Sequence, residues 1–353
     1  MTQADAPRAA AVGRLQDLLF GYATAAMVHT AVGMGVFDLI DDNDGKPAHA
    51  PELAASVGAD PDAFNRLLRA LAVQGVLEEA GEGCYQHTEL SRLLRSDAPG
   101  GVARMARLSA LPAIRDPWTH LDEAVRTGGS VFAKVFGRPM FQHFAEDPES
   151  GGIFNEGMTA NTQLFGARAA ESVDLSGATT VADIGGGHGA LLAALLRLHP
   201  HVYGVLFDLE PVVKGAVADL TEGGGLADRC RIVAGDAHNE IPVEADVYLL
   251  KHILHMWDDE TSVRALRNIA ASARPGARVL VLEMLIGGGG PYATYHSFLD
   301  LFMLLSPGGR ERTEAEFATL FERAGLVHHG VTPVTGGQLA LIEARVPDPA
   351  ARS

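Results

Sequence analysis

Residues 180–190 read TVADIGGGHGA: a β-branched run ending in Asp183, a glycine-rich turn, and the start of an alanine- and leucine-rich segment that continues to Leu198. Strand, glycine turn and helix in this order make the first half of a βαβ unit. Glycine permits positive φ and lets a ligand approach the backbone, with the N-terminus of a helix behind it. A second run, Val202 to Phe207, ends in Asp208, about twenty residues on, where a carboxylate can accept hydrogen bonds from both hydroxyls of a ribose. The pair implies an adenosine-containing ligand. Gly185, Gly187 and Ala190 also satisfy the spacing of a dinucleotide fingerprint. Asp183 discriminates: a carboxylate just before the glycines is unwelcome beside a pyrophosphate and suits a ligand with a cationic amino-acid end.

Downstream, the chain keeps alternating β-branched runs with helical patterns. Arg278 to Glu283 reads as a fifth strand and Ala315–Ala324 as a helix closed by Gly325. Val327–Val334 with Gln338–Val346 reads as a closing antiparallel hairpin. In open α/β sheets ligands bind beyond the carboxyl ends of the strands, and Asp183, Asp208, Asp236, Lys251 and Glu283 all fall at such ends. Upstream the character changes near Asp174. Leu15 to Gly35 has apolar positions three and four apart, broken by Gly33 and Gly35, and reads as one or two buried helices. Pro51 opens a helix, Gly58 turns the chain, and Pro61 opens a second helix carrying Leu67, Leu68 and Leu71. Val76 to Thr88, with Gly81 and Gly83, fits a two-stranded wing, so a winged helix is expected. Between the halves, Ala106 to Ser172 reads helical, with Trp118, Phe132, Phe136, Phe141, Phe144, Phe154 and Phe165 serving as core or as an aromatic wall. The expected domains are 1–105, winged helix; 106–174, a helical linker contributing to an acceptor pocket; and 175–353, a Rossmann-like domain.

The 353 residues carry 28 basic and 44 acidic side chains, a formal charge of −16 that repels phosphate backbones. Although a winged helix can place a helix in the major groove, its second helix here offers only Arg66 and Arg69 against Asp60 and Asp62, so nucleic acid is not an expected partner. Burial against a second subunit is the better use of its apolar residues. No apolar run of about 18 residues could span a bilayer, and MTQADAPRAAAVGRL lacks the apolar core of a signal peptide, so a cytoplasmic protein without membrane contact is expected. Cys84 and Cys230 lie far apart and make no disulfide framework.

Six segments in order, VADIGGGHG, FDLEPVV, GDAHNEIP, KHILHMWDDE, VLEMLI and GGRERT, resemble the S-adenosylmethionine-dependent O-methyltransferases of small phenolic molecules, the plant type and its bacterial polyketide-tailoring relatives. The likeness covers essentially the whole chain. It implies a Rossmann-like α/β methyltransferase domain behind a mainly helical winged-helix dimerisation domain, a homodimer, S-adenosylmethionine as cofactor with S-adenosylhomocysteine as product, and no metal. By the same resemblance Asp183 and Gly185, Gly186 and Gly187 lie beside the methionine portion, and Asp208 with Leu209 at the ribose. Asp236 and Ala237 lie by the adenine, and Lys251 ends the fourth strand in the cofactor site. His255 matches the general base, and Glu283 and Glu311 match two glutamates flanking its imidazole. Phe154, Met158, Asn161, Met256 and Met303 are the expected acceptor-binding residues. The sequence departs from the family at His188, at Ala237 and His238, and at Met256, none of which removes a catalytic group.

The residues suit the chemistry. A phenol titrates near pKa 10, and a positioned imidazole of pKa about 6.5 is a sensible general base for it at neutral pH. A carboxylate on the far ring nitrogen fixes the tautomer and stabilises the imidazolium. Asp258 and Asp259 could be mistaken for a metal pair, but at the start of the helix Asp258–Ala273 an N-cap and dipole role accounts for them. His252 and His255 follow a strand on a loop, unsuited to joint zinc ligation, and His328 and His329 are strand neighbours pointing to opposite faces. The expected activity is therefore methylation of an aromatic hydroxyl. The rivals are the same scaffold repurposed for hydroxylation, decarboxylation or cyclisation, a nicotinamide oxidoreductase, and a ligand-responsive DNA-binding protein.

Overall fold

The computed structural model describes residues 5–40 and 46–348, apart from the side chains of residues 5–7, 161–165, 167 and 335. The chain forms two compact units, one from residues 1–115 and 146–164, the other from 116–145 and 165–353. The span 106–174 is thus divided between them.

In the first unit, helices Asp5–Leu19 and Gly21–Gly33 occupy the segment expected to be buried. The first is not buried: Leu15, Leu18, Leu19 and Phe20 are each more than half exposed. Their apolar spacing marks a surface that nothing within this chain covers. The winged-helix reading holds. Helix Ala50–Val57 stops at Gly58, whose φ of 68° supplies the left-handed cap. Asp60 accepts the Ala63 N–H at 2.9 Å and Pro61 opens helix Pro61–Val73, which buries Phe64, Leu68 and Leu71. Strands β1 (Ala48–His49), β2 (Leu77–Glu79) and β3 (Cys84–His87) form an antiparallel sheet in the order β1-β3-β2. Helix Val102–Ala110 and most of the long helix Pro148–Ser172 complete this unit.

The second unit is built on seven strands: β4 (Thr180–Ile184), β5 (Tyr203–Asp208), β6 (Cys230–Ala234), β7 (Val247–Lys251), β8 (Arg278–Glu283), β9 (Val327–Val334) and β10 (Leu339–Arg345). Their order is β6-β5-β4-β7-β8-β10-β9, parallel except for β10, which runs against both β8 and β9. Alternate residues feed opposite cores: Val279 and Val281 join one, Leu280 and Leu282 the other. Both faces are apolar because helices such as Ala190–Leu198, Asp259–Ser272 and Glu314–Arg323 cover the sheet. Chain direction across the sheet reverses between β4 and β7, which opens a crevice at their carboxyl ends. Among the described residues no helix is long and apolar enough to cross a membrane.

Candidate active site

The glycine turn after β4 is held against the next strand. Gly185 N–H donates to the Phe207 carbonyl at 2.8 Å, and Gly187 N–H donates to Asp208 Oδ2 at 2.8 Å. Gly185, Gly187 and Gly189 have φ of 69°, 61° and 79°, a region that favours glycine. A Cβ on Gly186 would lie 2.6 Å from Leu206 and 2.7 Å from the Asp183 carboxyl, whereas a Cβ on Gly187 would meet nothing within 4 Å. The turn is therefore closed on the sheet side and open at Gly187.

Two carboxylates end the strands flanking this opening. Asp208 also accepts its neighbour Leu209 N–H at 2.7 Å, which leaves lone pairs on both oxygens for further donors. Burial pushes Asp208 up, against the pull of the Gly187 and Leu209 N–H groups. Asp183 is buried, its Oδ2 has no hydrogen-bond partner, and burial raises it to about 7, with Lys251 opposing and Asp208 assisting. Lys251, at the end of β7, is lowered to about 8 by burial, with Asp183 opposing. A buried orphan carboxylate oxygen, an open glycine and a carboxylate with free lone pairs at the next strand end fit a ligand that brings a ribose diol and cationic groups, as S-adenosylmethionine does. Asp236 follows β6, where its carboxylate accepts the His238 N–H at 2.9 Å and the Asn239 side chain at 3.2 Å, and the Ala237 carbonyl takes the Asn268 amide at 2.8 Å. His238 packs edge-on to Trp257, ring centroids 4.3 Å apart.

Beyond β7 the chain turns through His252, whose φ of 56° is left-handed and unusual for a non-glycine residue. Its ring stacks on His255 at 5.2 Å and its Nδ1 has no partner; burial, Lys251 and His255 hold it well below the ordinary histidine range, hence neutral. His255 sits on the single turn Leu254–Met256, buried, with Nδ1 2.7 Å from Glu311 Oε1. Burial opposes protonation of His255, but the Glu311 carboxylate, aided by Glu283, outweighs it and raises the imidazole above 6.5. The resemblance set both glutamates beside the ring, and Glu283 lies close enough for its charge to help raise the imidazole. Glu283, fully buried, does not bond to the imidazole: its Oε1 accepts three successive backbone N–H groups, Ile253 at 3.1 Å, Leu254 at 2.7 Å and His255 at 3.2 Å. The turn's N–H groups converge on one point, and a carboxylate is the acceptor that can serve all three.

Of the expected acceptor residues, Met256 lies half-buried on the same turn, and Met303 is buried on helix Ala293–Leu305, its carbonyl accepting Gly308 and Gly309 N–H at 2.9 and 3.1 Å. Phe154, half-buried, and Met158, exposed, lie on helix Pro148–Ser172 in the first unit, and the side chain of Asn161 lies outside the described residues. Asp258 caps helix Asp259–Ser272 by accepting Thr261 N–H at 2.7 Å, and Asp259 takes the Arg312 guanidinium, so each carboxylate has a structural partner. Among the described residues no three His, Cys, Asp or Glu side chains cluster to hold a metal ion. Sequence reasoning weighed His252 only as a zinc ligand and did not single out Gly309 or Arg312. A Cβ on Gly309 would lie 2.0 Å from the His255 carbonyl oxygen, and Arg312 is fully buried beside the turn that carries His255. Only the quoted GGRERT segment pointed to that region.

An O-methyltransferase domain matches residues 118–327 and an O-methyltransferase dimerisation domain residues 16–97. The mitomycin biosynthesis 6-O-methyltransferase of Streptomyces lavendulae is 40% identical over 341 residues, 96% of each chain. The aclacinomycin 10-hydroxylase of Streptomyces purpurascens is 34% identical, covering 78% of this chain and 74% of its own. Among solved structures, the mitomycin 7-O-methyltransferase MmcR superposes with a TM-score of 0.87 at 40% identity, over 97% of this chain and 99% of that one. A neocarzinostatin-biosynthesis O-methyltransferase, in complex with S-adenosylmethionine and 2-hydroxy-5-methyl naphthoic acid, superposes with a TM-score of 0.77 at 30% identity over 92% and 96% of the two chains.

Proposed function

Because the chain belongs to the O-methyltransferase family and is an S-adenosylmethionine-dependent methyltransferase, we propose that it methylates a hydroxyl of a small aromatic natural product, phenolic or polyketide-type, with His255 as general base. The observation that carries this reading is the 2.7 Å bond between His255 Nδ1 and the buried Glu311 carboxylate. With the proton of the neutral ring held on Nδ1 by that acceptor, Nε2 keeps its lone pair for the hydroxyl proton of an acceptor. Glu311 then compensates the charge of the imidazolium as it forms. Glu283 holds the main chain of the turn, so the imidazole is aimed before any acceptor arrives.

S-adenosylmethionine, when bound, supplies a sulfonium methyl group already activated toward an oxygen nucleophile. Asp208 and Leu209 would hold its ribose, Asp183, Lys251 and Gly185 to Gly187 its methionine portion, and Asp236 with Ala237 its adenine. Met256, on the turn that carries His255, and Met303 would line the acceptor site. The naphthoic acid held by the neocarzinostatin relative supports a flat, hydroxylated aromatic acceptor. The dimerisation-domain match supports a homodimer.

The hydroxylase relative keeps a second reading in play, the same scaffold turned to hydroxylation, decarboxylation or cyclisation. One experiment separates the two: mass spectrometry of S-adenosylhomocysteine and of the acceptor when the protein and its His255→Ala variant receive S-adenosylmethionine with a panel of hydroxynaphthoates, flavonoids and hydroxyquinones. An O-methylated product, reduced roughly 10²–10⁴-fold in the variant, is expected. Products altered but not methylated would support the second reading, and unchanged turnover in His255→Ala would remove the base.

A further inference from the structure

We propose that Arg312 is a positioning residue for the base, acting through the main chain of the turn that carries His255; this rests on the reading of His255 as general base. Arg312 is fully buried, yet its guanidinium has a partner on every side: Nη1 donates to the Leu254 carbonyl at 2.8 Å, Nη2 to the Trp257 carbonyl at 2.8 Å, and Nε and Nη2 to Asp259 Oδ1 at 3.0 and 2.9 Å. Its contacts are thus to the carbonyl side of the turn whose N–H groups converge on Glu283. The tripeptide Arg310–Glu311–Arg312 engages the base at three levels. Arg310 N–H donates to the His255 carbonyl at 2.8 Å, the Glu311 carboxylate meets the ring, and Arg312 holds the residues on either side.

Accounting for the turn's backbone supports the assignment. From Ile253 to Trp257, three N–H groups go to Glu283, Met256 and Trp257 N–H close on the Ile253 and Leu254 carbonyls, and the Leu254, His255 and Trp257 carbonyls accept from 310–312. A turn this short has no ladder of its own and takes its geometry from those partners. Arg312 is also bridged to Leu285, and its carbonyl accepts Ile286 N–H at 3.2 Å, so it is anchored to the segment that continues from Glu283. The two grips on the turn are therefore tied to each other. A planar fork with several fixed donors suits two carbonyls and a carboxylate at once; a lysine ammonium does not.

The test reads the imidazole itself and needs no acceptor. In the full-length protein with ¹³C-labelled histidine, the His255 ring signal, identified by its loss in His255→Ala, is titrated in wild type, Arg312→Lys and Asp259→Asn, with calorimetric S-adenosylhomocysteine affinity measured alongside. In Arg312→Lys the ring should drift from Glu311, its midpoint falling toward the unperturbed 6.5, with affinity within about twofold of wild type. Asp259→Asn, which frees one edge of the guanidinium, should shift it less in the same direction. An unchanged midpoint in Arg312→Lys with native affinity overturns the proposal; should that variant fail to bind, an unchanged midpoint in Asp259→Asn does so. Methyl transfer that survives in His255→Ala would remove the base reading alone, because the titration still decides whether Arg312 positions the ring.

Discussion

At the scale of single residues, the site works by opposing burial with charge. His255 is in a place that disfavours its cation, and Glu311 at 2.7 Å reverses the sign, so the folded protein holds the proton more tightly than an ordinary histidine. A general base must be neutral to act, so kcat should fall as the pH drops through a midpoint above 6.5. Glu311→Gln removes the largest attraction and leaves the desolvation, so the midpoint of this acid limb should move down while the maximal rate drops about 10-fold or more for want of a counter-charge to the imidazolium. A pH–rate profile of the two proteins checks both; an acid limb that stays in place would show that another group titrates. Asp183 poses the inverse case. Burial raises it to about 7, so it is a carboxylate above that pH and a neutral acid below. If it receives the cationic end of the cofactor, S-adenosylhomocysteine affinity should weaken on acidification through about 7, and Asp183→Asn should bind weakly at every pH. Calorimetry from mildly acid to mildly alkaline buffer distinguishes this from a purely structural Asp183, whose replacement would leave the pH dependence intact.

At the scale of elements, glycine positions separate close packing from empty space. A Cβ on Gly186 would meet Leu206 and the Asp183 carboxyl at 2.6 and 2.7 Å, so Gly186→Ala must displace them and should weaken S-adenosylhomocysteine binding about 10-fold or more. Gly288, with nothing within 4 Å of an added Cβ, is the matched control, and Gly288→Ala should bind as wild type. Equal affinities in the two variants would mean that the turn is looser than its packing implies. The strands were legible because β4, β7 and β8 are apolar on both faces until polarity returns at their ends, with Asp183 one residue before the end of β4 and Lys251 and Glu283 closing β7 and β8. That is the pattern of a covered parallel sheet, and it located the crevice as well. The contacts that hold the turn of His255 were not legible. Arg312 reaches Leu254 across 58 residues of sequence, and an arginine next to a glutamate at the start of a helix has the appearance of a solvated charge. Glu283 was assigned to the site, but its contact with the backbone N–H groups arises from the direction of the turn after His252, which no spacing announces.

For the whole molecule, the first helix sets the question. Val12, Leu15, Leu18, Leu19, Phe20 and Tyr22 are each half or more exposed, within the eleven residues from 12 to 22. Helical spacing led the sequence reading to expect burial, and periodicity cannot say whether the covering surface belongs to the same chain. The dimerisation-domain match begins at residue 16, inside this helix, which supports a second copy as the cover. Each large side chain fully covered contributes roughly 1.5–3 kcal/mol, so a few such contacts on each side suffice for a stable pair after the cost of association. Sedimentation should find a dimer at micromolar concentration, and Leu15→Asp with Leu18→Asp should shift it to monomer while leaving the second unit able to bind S-adenosylhomocysteine. Charge gives the sign of the salt effect. Each chain carries a formal −16, so association brings like charges together, and added salt screens that repulsion while leaving apolar burial in place. The dimer should therefore tighten as sodium chloride rises from 20 to about 200 mM, as the Debye length shrinks from about 20 Å to below 10 Å. Dissociation over the same range would mean that ion pairs hold the subunits together, and the exposed apolar helix would then have to face some other partner.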